Sequence, residues 1–115
     1  MANKSRKNQN LSDNVRLDRR TLWTLNAVPK KSVYGESLRR YRGAEWRRWD
    51  PFRSKLGAGI VRAKKGRESL LPQPGTTVLY LGAAHGTTVS HLHDHLCGKE
   101  NTLGGRLIAL DFSPR

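Results

Sequence analysis

Cysteine is nearly absent: Cys97 is the one thiol in 115 residues, so no internal disulfide can form and the chain is no cross-linked secreted scaffold. Long apolar runs are missing too. No stretch approaches the roughly 18 residues of a membrane span, and no basic segment carries the broad apolar face of an interfacial helix. The N-terminal stretch Met1–Asn14 lacks the apolar region of a secretory leader, which points to a protein kept inside the cell. Hydrophobic residues make up 36% of the chain, little for a self-sufficient core at this size. Acidic side chains are scarce, with 9 Asp+Glu against 22 Lys+Arg and a net charge of +13. That balance asks for an anionic partner, nucleic acid first. Internal repeats and low-complexity segments are lacking.

What is there divides unevenly. Residues 1–75 hold 19 Lys+Arg and 6 Asp+Glu, whereas residues 76–115 hold 3 of each, so a basic part precedes a neutral one. Residues 1–20 are expected to be a disordered basic tail, because Leu11, Val15 and Leu17 are their only apolar side chains after Met1 and Ala2. Residues 21–50 read as a small antiparallel sheet of four short strands, Leu22–Leu25, Ser32–Glu36, Leu38–Arg42 and Glu45–Trp49. Residues 51–75 read as a helix and a linker. Asp50-Pro51 favours a helix start, Leu56, Ile60 and Ala63 recur on one side up to about Lys64, and Leu70–Gly75 is rich in breakers. Residues 76–115 hold a buried-type strand Thr77–Leu81, a helix Thr87–Cys97 with Val89, Leu92 and Leu96 inward, and a second strand Leu107–Phe112. These make one β-α-β unit with a parallel crossover, so the expected fold class is α/β.

Between strand and helix runs Gly82-Ala83-Ala84-His85-Gly86-Thr87-Thr88. Glycines there let a ligand approach the backbone, and the helix start offers free N–H groups. The three-glycine spacing of a dinucleotide fingerprint and the Gly-Lys-Ser/Thr ending of a P-loop are both missing, which counts against NAD and ATP. Asp111, ending the next strand, is placed to accept hydrogen bonds from ribose hydroxyls. A glycine loop and one acid also suit a purely structural turn. Lys55, taken alone, is one more solvated base on a helix with Arg53 and Arg62. The interleaving of Arg39, Arg40, Tyr41, Arg42, Trp46, Arg47 and Arg48 can stack bases and pair phosphates, or simply pack and solvate the small sheet. His91, His93, His95 and Cys97 invite a metal reading. On a helix His91 and His95 share a face while His93 points away, so surface or internally bonded histidines come first and no metal is assigned.

The run Val78 to His91 closely resembles the cofactor-binding motif of the fibrillarin family. Leu25-Asn26-Ala27-Val28-Pro29 with Ser32–Glu36, and Trp49-Asp50-Pro51-Phe52-Arg53-Ser54-Lys55-Leu56, match in order. Ala109–Arg115 is similar to the family's second-strand motif, where the acid is more often Glu. The resemblance spans roughly residues 21–115. It implies a small N-terminal antiparallel β domain followed by the first β-α-β unit of a Rossmann-like class I methyltransferase domain that binds S-adenosyl-L-methionine. By position, Gly82, Ala83, Gly86, Thr87 and Thr88 would line the cofactor, with the Gly-Thr-Thr hydroxyls and N–H groups toward its carboxylate. Asp111 and Phe112 would hold ribose and adenine, and His85 stands where a small residue is expected.

Lys55 matches the first lysine of the catalytic Lys-Asp-Lys-His set that the resemblance implies; the other three would lie beyond Arg115. The methyltransferase domain is therefore expected to be incomplete, with its rest on a second polypeptide or lost from a truncated product. The unit 76–112 is expected to expose apolar surface, and the isolated chain to be inactive. The implied function is ribose 2′-O-methylation of rRNA or tRNA within a C/D-box guide ribonucleoprotein. Its partners would be guide RNA, a Nop-family scaffold protein and a kink-turn-binding ribosomal-type protein, with no membrane. Arg47, Arg48 and Arg53 are the RNA-binding candidates. Without a Gly-Arg-rich extension the chain looks archaeal, hence cytoplasmic, and would be nucleolar if eukaryotic. The alternative is a non-catalytic RNA-binding or assembly fragment; a generic small-molecule methyltransferase would not need this charge.

Overall fold

The computed structural model describes residues 8–82 and 86–110. Five antiparallel strands come first: β1 (Asn8–Asn10), β2 (Val15–Asp18), β3 (Thr21–Leu25), β4 (Leu38–Tyr41) and β5 (Ala44–Trp49), in sheet order β1-β2-β3-β5-β4. Helix α1 (Lys55–Arg62) follows, then β6 (Thr77–Leu81), helix α2 (Thr87–Cys97) and β7 (Arg106–Leu110). β6 and β7 pair in parallel, with Val78 opposite Leu107.

Two-residue alternation decides what the large sheet buries. Val15 lies opposite Thr24, Leu17 opposite Leu22, and Leu22 opposite Trp49, so these side chains share the inner face. There they meet Ile60 and Val61 of α1, with Leu11 and Leu71 closing the cluster. Each such aliphatic side chain contributes about 1.5–3 kcal/mol on full burial.

Four expectations change. Residues 8–18 form β1 and β2 of the sheet, in place of the expected disordered tail. The reason is tertiary: Val15 and Leu17 are 0% and 2% exposed, and the surface that buries them comes from β3, β5 and α1. Ser32–Glu36 is not a strand. The Glu36 carboxylate accepts the Val33 and Tyr34 N–H groups at 2.8–3.0 Å, so a side chain takes donors that a ladder would need. α1 begins at Lys55, with Ser54 as its N-cap, four residues later than Asp50-Pro51 suggests. Finally, the Leu70–Gly75 linker is packed against the rest of the chain and is not a free connector. Leu71 is in the core, the Pro72 carbonyl accepts from His95 Nε2 at 2.7 Å, and Gly75 N–H donates to the Leu96 carbonyl at 2.9 Å.

α2 matches its expected span residue for residue, and it is buried on two sides. Leu92 and Leu96 are covered, Val89 is half-buried, and His91, Asp94 and His95 on another side are buried against the five-stranded sheet. Leu79, Leu81, Ile108 and Leu110 are exposed, the bare apolar face expected of a two-stranded parallel pair. No helix among the described residues is long and apolar enough to cross a membrane. Where β7 meets α2, a Cβ at Gly105 would stand 2.2 Å from the Leu96 carbonyl oxygen. Backbone cannot move aside as a flexible side chain can. Gly105→Ala is therefore expected to lower stability by about 1–3 kcal/mol, read as a shift in the urea midpoint; an unchanged midpoint would show that β7 is not seated on α2.

Candidate functional site

The site has two walls. On the first, Asp50 closes a turn after β5: its Oδ1 accepts the Phe52 N–H at 2.9 Å and its carbonyl accepts the Arg53 N–H at 3.1 Å. The turn leaves Phe52 91% exposed and lays the Arg53 guanidinium over the Tyr34 ring at 5.1 Å. Ser54 then caps α1, its Oγ accepting the Gly57 N–H at 3.0 Å. Lys55 is thereby the first residue of the helix, with an exposed side chain.

The second wall is the end of β6 and the start of α2. Gly82 (φ +77°) and Gly86 (φ +82°) adopt left-handed backbone, which glycine reaches at least cost. Among the described residues a Cβ on either would meet nothing within 4 Å. Gly86 caps α2 with no side-chain bond, and among the described residues outside the helix none accepts the first-turn N–H groups, which suit an incoming acceptor.

A hydrogen bond joins the walls: Thr88 Oγ1 donates to Ser54 Oγ at 2.6 Å, and both residues are buried. Between the walls opens a cleft of about 720 Å³, lined by Phe52, Arg53, Lys55, Gly82, Gly86 and Thr87 among others. Small-molecule sites fall at about 300–1,000 Å³.

Behind the cleft lies a buried polar network. The Arg47 guanidinium is 1% exposed; its Nε donates to Glu36 at 2.5 Å, Nη1 to Asp94 at 2.9 Å and Nη2 to Ser90 Oγ at 2.9 Å. His91 stacks on Trp49 with ring centroids 4.9 Å apart and meets Thr24 Oγ1 at 2.9 Å and the Tyr34 hydroxyl at 2.7 Å. The Tyr34 hydroxyl donates to the Arg48 carbonyl at 3.0 Å. With that proton assigned, His91 carries its own on Nε2 and accepts from Thr24 at Nδ1. Burial, aided by the Arg47 charge and opposed by Glu36, holds the imidazole down at about 3. Burial pushes the Glu36 carboxyl up, but hydrogen bonds from the Tyr34 and Val33 N–H groups and from Arg47 outweigh it and bring the group to about 2.

Of the expected site residues, Lys55, Arg53, Gly82, Gly86, Thr87 and Thr88 come together at the cleft. Ala83, His85, Asp111 and Phe112 lie outside the described residues. Two roles are corrected. The Thr88 hydroxyl is engaged by Ser54, so it braces the walls and does not present a free hydroxyl to a carboxylate. Arg47 is enclosed between two acids, which removes it from the RNA-binding candidates. Arg48 remains half-buried and Arg53 exposed. His91 and His95 are internally bonded, and His93 is exposed. The residue that sequence reasoning missed is Ser54. A serine directly before a helix is an ordinary N-cap signal, here masked by Asp50-Pro51 four residues earlier.

Known proteins are similar to this chain in sequence and in backbone. The family model for fibrillarin matches residues 4–115. A fibrillarin-like rRNA/tRNA 2′-O-methyltransferase of Saccharolobus solfataricus is 47% identical over 94 residues, which are 82% of this chain and 37% of that protein. One from Thermococcus onnurineus is 48% identical over 92 residues, 80% of this chain and 37% of its own length. The chain thus spans a little over a third of the curated relatives it matches. Among solved structures, Aeropyrum pernix fibrillarin with natively bound S-adenosyl-L-methionine superposes at TM-score 0.67 and 35% identity, over 90% of this chain and 45% of that one. Methanococcus jannaschii fibrillarin, a pre-rRNA processing protein, does so at TM-score 0.70 and 30% identity, over 95% and 46%. A match across nearly the whole sequence, joined to a backbone similar to those of solved fibrillarins, places this chain in the fibrillarin family.

Proposed function

We propose that this chain carries part of an S-adenosylmethionine-dependent RNA ribose 2′-O-methyltransferase acting on rRNA and tRNA within a C/D-box guide ribonucleoprotein. The observation that carries the reading is the cleft that holds both Lys55 and the open glycine turn. Its residues fit the cofactor. Gly82 and Gly86 leave room at the backbone, and the uncapped start of α2 offers N–H groups suited to a carboxylate. When bound, the cofactor supplies an electrophilic methyl group. Lys55, fixed to α1 by the Ser54 cap, holds a cation where a ribose hydroxyl would gain alkoxide character. Ser54 and Thr88 keep that cation in register with the turn.

Guide RNA, a Nop-family scaffold and a kink-turn-binding protein are the partners this reading calls for. The resemblance would put the aspartate, second lysine and histidine of the catalytic set outside these 115 residues, and the chain by itself is proposed to bind cofactor without turnover. Calorimetric titration of S-adenosylmethionine into the chain, with any co-purifying partner, is expected to give saturable heat. Gly86→Val should weaken it by about tenfold or more, about 1.4 kcal/mol per factor of ten, while Lys55→Met leaves it unchanged. Absence of wild-type heat would defeat the cofactor reading, and salt-sensitive RNA binding without it would favour a non-catalytic assembly fragment. Methyl transfer to a guide–substrate duplex by the chain alone would overturn the inactivity.

A further inference from the structure

Both helices pack on the inner face of the five-stranded sheet, and the outer face is a different surface. Alternation places Arg16, Trp23 and Arg48 there in one row across β2, β3 and β5, with Trp46 and Arg39 in the next. Arg16 reaches from β2 to lie over the Tyr41 ring of β4 at 4.2 Å. Arg39 runs the opposite way from β4, over Trp23 at 4.4 Å and onto Asp18 of β2 at 2.8 Å. The aromatic rings thus carry a roof of guanidinium groups, an arrangement that is attractive in itself.

We propose that this outer face is a docking track for the phosphate backbone of an RNA duplex, gripped by Arg39, Arg42 and Arg48. Three observations select that occupant. The face is rich in cations and poor in acids: Arg39, Arg42 and Arg48 stand on it, and its acid, Asp18, is held by Arg39. The rings are not free to stack bases. Trp23 is 6% exposed, and Tyr41 has guanidinium groups at 4.2 and 5.3 Å, whereas single-strand readers depend on open rings. Nor does the face offer a protein partner an anchor. The large exposed apolar side chains, such as Phe52, Leu79 and Ile108, lie on other elements, and protein interfaces are built around buried apolar or aromatic anchors. What remains is guanidinium, exposed at Arg39 and Arg42 and half-buried at Arg48, which pairs with phosphate, and duplex RNA is recognised largely through its backbone and shape.

The inference rests on the RNA-acting reading above and is tested apart from it. Fluorescence anisotropy would follow a labelled 20-base-pair RNA duplex binding to the 115-residue chain from 50 to 300 mM salt. R39Q/R42Q/R48Q is expected to weaken binding about tenfold or more and to flatten the log–log salt slope by about 2–3. The lysine triple should keep most of the slope. R62Q/K64Q/K65Q, which removes equal charge from the end of α1 and the residues just after it, should stay within about threefold of wild type. Because Arg39 also holds Asp18, R42Q/R48Q is measured alongside, with near-ultraviolet circular dichroism of the tryptophans as the check on folding. Equal losses in the two glutamine triples, tighter binding of a single strand, unchanged RNA affinity, or no binding by the wild type would each overturn the proposal. Cofactor heat, measured separately, shows whether the methyltransferase reading falls with it.

Discussion

Arg47→Met is expected to destabilise the chain by about 3–5 kcal/mol, the usual cost of stranding charge in a protein interior. Arg47 is the cation between two nearly buried carboxylates, with Glu36 and Asp94 side chains 2% and 9% exposed. Glu36 would keep the Val33 and Tyr34 N–H groups, and Asp94 would keep Ala27 N–H, but neither would keep an opposite charge beside it in the interior. Lysine is a poor substitute, since one ammonium cannot reproduce a fork that serves Glu36, Asp94 and Ser90 at once. Urea titration measures the loss. The triple change R47M/E36Q/D94N should recover part of it, because a charge-free interior no longer has an unpaired ion. A loss under about 1 kcal/mol for R47M would mean that this network does not fasten α2 to the sheet. The consequence would reach the cleft, whose second wall begins on the same helix.

Acid should have an effect of similar size. His91 sits at about 3 in the folded chain and near 6.5 when unfolded. Between those values the unfolded chain binds a proton that the folded chain refuses, so stability is complete above about pH 6.5 and falls as pH drops. The slope approaches about 1.4 kcal/mol per pH unit, or about 5 kcal/mol by pH 3. Burial also lowers the His95 imidazole, against its bond to the Pro72 carbonyl, which adds to the upper part of the fall. Glu36, brought to about 2, adds loss below about pH 4.5. Total stabilities of small domains are about 5–15 kcal/mol, so unfolding is expected well above pH 3. Thermal midpoints at pH 7.5, 6, 5 and 4 give the test. A flat profile from pH 7 to 5 would show that His91 is not held neutral in the fold.

Much of the neutral half is legible in the residues alone. Thr77–Leu81 and Thr87–Cys97 are local patterns, an apolar run and a helical period bounded by Gly86 and Gly98, and both spans agree with the structure. The cleft residues Lys55, Gly82, Gly86 and Thr87 are marked out by family motifs that keep their spacing. The basic half resists such reading because its organisation is long-range. Val15 and Leu17 look isolated until β3 and α1 cover them. Ser32–Glu36 looks like a strand until the Glu36 side chain captures its backbone. Arg47 looks like its neighbour Arg48, but alternation turns one inward and the other outward, and the acids that meet it stand 11 residues before it and 47 after.

By itself the sequence settled the strand–turn–helix order, the basic and neutral halves and the family motifs, because these depend on neighbours in the chain and on residue type. Which arginines face solvent, why the His91 imidazole is held neutral, and how Lys55 comes to face the glycine turn were decided only when the sheet and two helices closed on one another. Burial, and the pairing it forces on polar groups, is a property of the whole packed molecule, which no stretch of sequence contains.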